Sequence, residues 1–329
     1  MSRSIPAGTR DILPEEMREL RAIEAALGEL FEGAGYGEVQ TPVLEFQEDA
    51  AASAGRGADP AYRFFDRAGA ALALRSDMTV PIARLVASRF RDEEGPLRLR
   101  YSGRIYRSVQ PQRGEMRELH QIGIELIGAD PPAGTIEVIR LLVAALDAIG
   151  LRRAVVGLGD ADLFRQLLDE LEVAGPARDR ILACLEAHDL VAIEAEAGDL
   201  AGVGDAARCT IVALSNLRGG AEVLERAHAI GGAAVERATS RLAAVHEGLV
   251  AAGIADRVQL DLGLMRDLGY YTGAILEVYD PAHGDVLGGG GRYDDLLASF
   301  GRPMTAAGFA LYLDRLHLAQ AAEQARGAR

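Results

Sequence analysis

Two strands joined by a polar loop, Tyr101–Gly128, form the most regular pattern in this chain of 329 residues. In the second strand, aliphatic residues alternate with small or polar ones, which is the period of a β-strand. The aliphatic positions are Ile122, Ile124 and Leu126. We expect them to pack against a core. On the opposite face Gln121 and Glu125 flank Gly123, and this face suits the floor of a site for a small polar ligand.

Helical periodicity, with apolar residues three or four positions apart, recurs along the chain. It predicts helices at 14–32, 80–91, 133–149 and 161–171, and a last helix that begins after the strand 307–309. Short apolar or alternating segments predict further strands at 37–45, 63–67, 70–74, 97–101, 154–158, 258–262 and 274–279. Pro42 interrupts the first of these, which places that strand at an edge, a bend or an interface.

Short connections between successive strands favour an antiparallel sheet with helices packed on it. The composition then changes over residues 175–251, which are rich in alanine, helical in pattern and divided by glycines. We therefore predict an α+β fold, with a mainly antiparallel sheet flanked by helices and a helical insertion at 175–251. The insertion either packs on the sheet or serves as a partner-binding module.

Metal and disulfide chemistry finds little support in the sequence. The two cysteines, Cys184 and Cys209, lack the spacing of a metal site or a disulfide framework. Three histidines of the insertion are isolated, and we interpret them as surface residues: His188, His228 and His246. No signal peptide and no run of ~20 apolar residues is present. We expect a cytoplasmic protein with no metal ion, no cofactor and no membrane contact.

Acidic residues outnumber basic ones by 49 to 35, which gives a net charge of −14. This balance disfavours a broad nucleic-acid surface, because phosphate neutralisation needs clustered cations. A local basic patch stays possible. Every basic residue other than histidine is arginine, since the chain has no lysine. The P-loop lysine and the Schiff-base lysine are therefore both excluded.

Candidate ligand contacts cluster at strand ends. The turn Arg75–Thr79 joins a predicted strand to a helix, where such turns often line pockets. Ser76 or Asp77 also suits the N-cap of that helix. Arg107, near the end of its strand, is either a solvated loop charge or a ligand contact. The glycines at 288–291 indicate a close approach of the backbone to another group.

These groups carry both signs of charge. Asp77, Gln121 and Glu125 can accept hydrogen bonds from an ammonium or imidazole group. Arg107 and Arg266 can bind a carboxylate or phosphate. Both signs around one small pocket suit a zwitterion, so we infer a free amino acid as the ligand. No Ser/His/Asp or Cys/His grouping supports nucleophilic catalysis.

Five segments, taken in order, resemble the class II aminoacyl-tRNA synthetases and in particular the histidinyl-tRNA synthetase family. The three class II motifs correspond to Gly35–Pro42, Tyr106–Gly128 and Gly308–Arg315. Two histidine-specific segments correspond to Leu264–Gly273 and to the Gly-Gly-Arg-Tyr-Asp run at 290–294. The resemblance covers most of 1–175 and 255–320. It implies a class II synthetase-like sheet and a homodimer with Pro42 at its interface.

The resemblance also implies a histidine pocket in this chain. Its residues are Asp77, Thr79, Arg107, Gln121, Glu125, Arg266, Tyr270 and Tyr271. In that family Arg107 contacts the carboxylate and the ATP α-phosphate, and Arg266 supports the reacting carboxylate. The synthetases have glutamate at the position of Asp77. Aspartate has the same charge as glutamate but a shorter side chain.

The ATP site implied by the family departs from its pattern. Val109 replaces the acid that reads adenine, and it cannot accept a hydrogen bond. Gln110 replaces an arginine, and Glu115 replaces a further arginine that holds the triphosphate. Arg315 keeps the place of the ATP-binding arginine. We therefore interpret the ATP site as degenerate and expect aminoacylation to be lost.

The domains predicted on this basis are a histidine-binding domain at 1–174 and 252–329 and the insertion at 175–251. The sequence given ends after the third motif, so no anticodon-binding domain and no tRNA are expected. This combination resembles the regulatory subunits of ATP phosphoribosyltransferase in histidine biosynthesis. The resemblance implies activation and histidine-dependent inhibition of a short-form catalytic subunit within a hetero-oligomer, commonly an octamer. The alternatives are a truncated ligase that adenylates histidine and a dimeric tRNA-binding or scaffolding protein.

Overall fold

The computed structural model describes residues 4–50, 61–109, 116–266 and 269–327. The helices are α1 (Pro14–Gly33), α2 (Gln47–Ala50), α3 (Thr79–Arg89), α4 (Ala133–Ala148), α5 (Leu163–Glu170), α6 (Gly175–Glu186), α7 (Leu190–Gly198), α8 (Asp205–Ser215), α9 (Glu222–Ile230), α10 (Ala233–Ala251) and α11 (Leu313–Gly327). The strands are β1 (Gly37–Glu38), β2 (Leu44–Phe46), β3 (Arg63–Phe65), β4 (Ala71–Leu74), β5 (Leu97–Tyr106), β6 (Glu118–Ile127), β7 (Val155–Asp160), β8 (Arg218–Gly219), β9 (Val258–Asp261), β10 (Ala274–Tyr279), β11 (Val286–Arg292) and β12 (Ala306–Tyr312).

Nine of these strands form one sheet in the order β1-β5-β6-β12-β11-β10-β7-β9-β8. Neighbours are antiparallel except for β1 with β5 and β7 with β9, which are parallel. The predicted α+β class with a mainly antiparallel sheet is therefore confirmed. A second sheet has three strands in the order β2-β4-β3.

Helices cover one face of the large sheet: α1, α4 and α11 pack against it, and α1 packs against both of the others. Helix α1 begins at Pro14 with acidic residues in its first turn, which suits the helix dipole. Its buried positions are Leu20, Ile23, Leu27 and Phe31. From β6, the predicted aliphatic face also enters this core: Ile122, Ile124 and Leu126. The alternation in the sequence therefore assigns the faces of β6 correctly.

The opposite face of the sheet carries a smaller core and the candidate site. Strand β5 contributes Leu97, Leu99 and Tyr101 to this core, and α3 contributes Val80, Ile82 and Val86. Because α3 covers only part of this face, polar side chains at the centre of the sheet line a pocket rather than a continuous apolar core.

Residues 175–251, the predicted insertion, contain α6 to α10 and the short strand β8. β8 pairs with β9 and so extends the large sheet at its edge. Helix α10 packs against α4, α5 and β7. Arg241 of α10 forms two hydrogen bonds of 2.8 Å with the buried Asp160 at the end of β7. The segment is thus joined to the sheet by a strand, by helix packing and by a charge pair whose acid, Asp160, is buried.

The single strand predicted at 37–45 is wrong, because the structure divides it into β1 and β2. Pro42 lies between them and cannot donate a hydrogen bond to a neighbouring strand. The buried Arg75 binds the backbone at this bend instead, since its Nη1 donates to the backbone oxygen of Thr41 at 2.9 Å. The chain can therefore leave the large sheet after Glu38 and start the small one at Leu44.

Candidate functional site

The eight residues predicted for an amino-acid pocket line one pocket on the open face of the large sheet. They come from the turn before α3, the end of β5, β6 and the segment before β10, and they are Asp77, Thr79, Arg107, Gln121, Glu125, Arg266, Tyr270 and Tyr271. The space at this site is about 390 Å³ when the solvent at its mouth is included. Residues up to 194 positions apart in the sequence, Asp77 and Tyr271, therefore meet at one site.

Glycines on β11 and β12 make room for the charged side chains of the pocket. Gly308 pairs with Glu125 across β12 and β6, and Gly289 pairs with Glu277 across β11 and β10. A Cβ atom at Gly308 would overlap the Glu125 carboxylate, and one at Gly289 would overlap the Arg266 guanidinium. The predicted close approach to the glycine run is confirmed at Gly289, where the approaching group is an arginine side chain.

Glu125 is the most deeply buried acid of the pocket. Its Oε1 accepts a hydrogen bond of 2.8 Å from Thr79, and its Oε2 accepts one from Tyr293. Burial raises the pKa of Glu125 to about 8, despite these two hydrogen bonds, and the nearby Asp77 acts in the same direction. A cationic ligand group at this position would favour the ionised carboxylate and so be held by it.

Asp77 fulfils both of the roles that the sequence left open. Its Oδ1 accepts a hydrogen bond of 3.0 Å from the backbone nitrogen of Val80, which is the bond expected of a residue that caps α3. The same buried side chain also lines the pocket. The cap fixes the carboxylate in place, and the pocket lies at the N-terminus of α3.

Two arginines supply the positive charge of the pocket. Nε of Arg107 donates to the backbone oxygen of Ser76 at 3.2 Å. Nη1 of Arg266 donates to Oε1 of Glu277 at 3.1 Å. These contacts orient the two guanidinium groups without using all of their donors. Arg107 is therefore a half-buried pocket residue rather than a solvated loop charge.

Two buried polar atoms in the pocket have no hydrogen-bond partner among the described residues. They are Oε1 of Gln121, an acceptor, and Nε of Arg266, a donor. Buried polar groups are nearly always paired, and leaving one unpaired costs about 1–3 kcal/mol. A ligand that carries both a donor and an acceptor group would satisfy both atoms.

Comparison with known proteins gives a consistent result. The family model described as histidyl-tRNA synthetase matches residues 8–316. The chain belongs to this family. The ATP phosphoribosyltransferase regulatory subunit of Moorella thermoacetica is 44% identical over 318 residues, or 96% of this chain and 82% of that protein. The protein of the same name from Symbiobacterium thermophilum is 44% identical over 320 residues, or 96% and 79% of the two chains.

A solved structure from Bacillus halodurans agrees with these relatives. It is described as an ATP phosphoribosyltransferase regulatory subunit/histidyl-tRNA synthetase, and it matches with a TM-score of 0.87 and 34% identity. The match covers 96% of this chain and 83% of that one. Within the histidyl-tRNA synthetase family, this chain therefore belongs with the regulatory subunits, which are not catalysts.

The ATP site of the family is only partly within the described residues. Gln110 and Glu115 lie outside them. The backbone oxygen of Val109 accepts a hydrogen bond of 3.2 Å from Nε of Arg117. Arg315, in the place of the family's ATP-binding arginine, donates to the oxygen of Val286 and lies over the ring of Tyr312. The degenerate character of this site stays a prediction.

His188 is exposed at the surface, as predicted, but the interpretation that it is isolated is wrong. Nε2 of His188 lies 3.5 Å from Oε2 of Glu277, the acid that also receives Arg266. A hydrogen bond to Glu277 raises the pKa of His188 above its usual value. The contact joins the turn between α6 and α7 to the pocket wall. Sequence reasoning missed it because the two residues are 89 positions apart and neither lies in a motif.

Two tyrosines of the pocket were also missing from the predicted set. Tyr293 donates to Glu125, and Tyr312 lies beside the arginines. Tyr293 belongs to the Gly-Gly-Arg-Tyr-Asp run that the family resemblance already singled out. Tyr312 shares its face of β12 with Gly308 and Ala310, so a longer predicted strand with a period of two would have included it.

Proposed function

We propose that this chain is a regulatory subunit of ATP phosphoribosyltransferase and that its pocket binds free L-histidine. The subunit activates a short-form catalytic partner and makes it sensitive to feedback inhibition by histidine. The names of the relatives support the regulatory role. The observation that carries the histidine proposal is the meeting of Glu125, Gln121, Arg107 and Arg266 in one buried pocket.

The arrangement of charge suits an amino acid. Two acids, Asp77 and Glu125, offer acceptors to an ammonium group, and two arginines offer paired donors to a carboxylate. Gln121 keeps an unpaired acceptor among the described residues, and an imidazole N–H is a fitting donor for it. Tyr270 and Tyr271, with ring centroids 4.9 Å apart, add an aromatic wall.

The partner proposed for the chain is the short-form catalytic subunit of ATP phosphoribosyltransferase, in a cytoplasmic hetero-oligomer. A homodimer through the class II interface near Pro42 would be its core, and an octamer is the expected assembly. Histidine and the active state must oppose each other in this complex, because the coupling between two sites is reciprocal. No cofactor and no tRNA belong to this proposal.

Reconstitution tests the proposal. The purified chain and a short-form ATP phosphoribosyltransferase should co-elute, and the complex should be more active than the catalytic subunit alone. Histidine should inhibit this activity. With Glu125→Ala in the chain, we expect activation to persist and inhibition to require more histidine. Glu118→Ala is the matched control, since Glu118 lies on the same strand and pairs with Arg104 outside the pocket.

Failure of the two proteins to co-elute would contradict the regulatory role. Failure of histidine to bind, with activation intact, would contradict only the ligand.

Adenylation of histidine is the second candidate, because Arg107, Arg266 and Arg315 are all present near one another. An enzyme of this kind would exchange pyrophosphate into ATP when histidine is added. We expect the purified chain to give no exchange above a sample without enzyme. Histidine-dependent exchange would favour the ligase over the regulatory subunit.

A further inference from the structure

Tyr312 ends β12 at the point where three arginine side chains converge. The guanidinium carbon of Arg315 lies 4.7 Å from the centroid of the Tyr312 ring, and that of Arg107 lies 6.0 Å from it. Arg107 and Arg266 also act on the phenol electrostatically. The ring is 5% exposed. The arginines that an adenylating enzyme would need therefore surround a tyrosine.

A cluster of partly buried guanidinium groups favours a balancing negative charge. Arg107 and Arg266 are close enough to oppose each other's charge. The Tyr312 phenol supplies a compensating dipole, and a full charge when it ionises. Burial acts to raise the pKa of Tyr312, but Arg107, Arg266 and Arg315 together outweigh it and lower the pKa to about 8. Tyr101, buried in the same core without this arginine cluster, has a pKa well above its usual value.

The position of Tyr312 divides the pocket into two ends. Gly308 lies opposite Glu125 in the sheet register, and Tyr312 lies opposite Gln121. At the Glu125 end, the absence of a side chain on Gly308 leaves room for the Glu125 carboxylate. At the other end, the phenol ring fills the space between the guanidinium groups.

We infer that Tyr312 fills the space between Arg107 and Arg315 that a phosphate group would need and thereby closes this end of the pocket to phosphate groups, while Arg107 and Arg266 keep other donors for a carboxylate. The inference rests on the proposed function, since it explains how a histidine site excludes the nucleotide that an activating enzyme would bind with it. Tyr312 is thus a specificity-determining residue that acts by exclusion.

Binding of inorganic pyrophosphate, measured by titration calorimetry, tests this inference. Replacement of Tyr312 by alanine should open the subsite, so that Tyr312→Ala binds pyrophosphate at least roughly tenfold more tightly than the unmodified chain. Tyr36→Phe is the control, because Tyr36 is a buried tyrosine that bonds Glu137 on the other side of the sheet. Equal pyrophosphate affinity in the unmodified chain and Tyr312→Ala would overturn the inference.

Tyr312→Phe provides a second test that does not depend on the folding of the alanine variant. An ultraviolet titration of the unmodified chain should contain a tyrosine that ionises with a midpoint near the pKa of about 8, and Tyr312→Phe should lack it. An unchanged titration curve would overturn the placement of the phenol among the arginines. Histidine titrations on the same samples report on the proposed function separately, so the two ideas can fail independently.

Discussion

Glu277 joins Arg266 to His188. Its Oε1 accepts a hydrogen bond from Arg266 at 3.1 Å, and its Oε2 lies 3.5 Å from Nε2 of His188. One acid thus connects a guanidinium group of the pocket with the turn between α6 and α7. Since Glu277 is 6% exposed, its interactions are weakly screened by solvent.

Loss of this acid should loosen Arg266. We expect Glu277→Gln to weaken histidine binding by about 1–2 kcal/mol, because Arg266 loses a charge-assisted hydrogen bond that orients it. His188→Gln should have a smaller effect, since it leaves the bond between Arg266 and Glu277 in place. Calorimetric titration with histidine measures both. If His188→Gln weakened histidine binding more than Glu277→Gln does, the effect of Glu277 on the ligand would not pass through Arg266.

Glu125 should contribute directly to ligand binding. We expect Glu125→Ala to weaken histidine binding by ~1–3 kcal/mol, because a charge-assisted hydrogen bond to the ligand is lost. Calorimetry on Glu125→Ala and on the control Glu118→Ala measures the difference. Unchanged affinity in Glu125→Ala would mean that the ligand lies elsewhere.

The pH dependence of stability should reveal the burial of Glu125. Its pKa is about 8 in the folded chain, against an ordinary value of 4.5. Folding therefore favours the protonated form of Glu125. The contribution of this form to the free energy of unfolding is fully present below pH 4.5 and is lost as the pH rises through about 8. Glu125→Gln stays neutral and should avoid this loss. Urea unfolding at several pH values should show the variant gaining stability relative to the unmodified chain up to about pH 8, and a constant difference would contradict the raised pKa.

The glycines beside the charged side chains should resist substitution. Gly289→Ala places a methyl group where Arg266 lies, and Gly308→Ala places one where the Glu125 carboxylate lies. Because Arg266 and Glu125 must then move, we expect histidine affinity to fall at least roughly tenfold in each variant. Gly198→Ala is the control, since no atom lies within 4 Å of its added Cβ. Unchanged histidine affinity in Gly289→Ala and Gly308→Ala would show that histidine binding does not depend on the present positions of Arg266 and Glu125.

The pair between Arg241 and Asp160 should stabilise the contact of α10 with the sheet. Arg241→Ala leaves the 1%-exposed Asp160 without its two hydrogen bonds from α10. We expect the free energy of unfolding to fall by about 1–3 kcal/mol, while histidine affinity stays unchanged. Chemical denaturation and calorimetry measure the two quantities. A loss of affinity at unchanged stability would instead indicate a path from α10 to the pocket.

Several features of the site could be predicted from local patterns. The alternation along β6 assigns Gln121 and Glu125 to one face and the aliphatic residues to the core, because side chains of a strand point alternately to the two sides. The polar turn before α3 predicts Asp77 as a cap or a pocket residue. Asp77 caps α3 and also lines the pocket, because the N-terminus of α3 faces the pocket.

Other features required the tertiary structure. The contact of His188 with Glu277 depends on how the segment 175–251 packs beside β10, and no local pattern encodes that distance. The convergence of Arg107, Arg266 and Arg315 on Tyr312 depends on the order of β6, β12, β11 and β10 in the sheet.

The sequence by itself determined the fold class, the faces of the central strands and the residue types of the pocket, because these follow from local periodicity and from side-chain chemistry. Only the tertiary structure decided which side chains meet. Gly308 and Gly289 let Glu125 and Arg266 approach the sheet, and Tyr312 fills the space between the arginines. These contacts join residues that are far apart along the chain. They are decided by the strand register and by the close packing of the sheet.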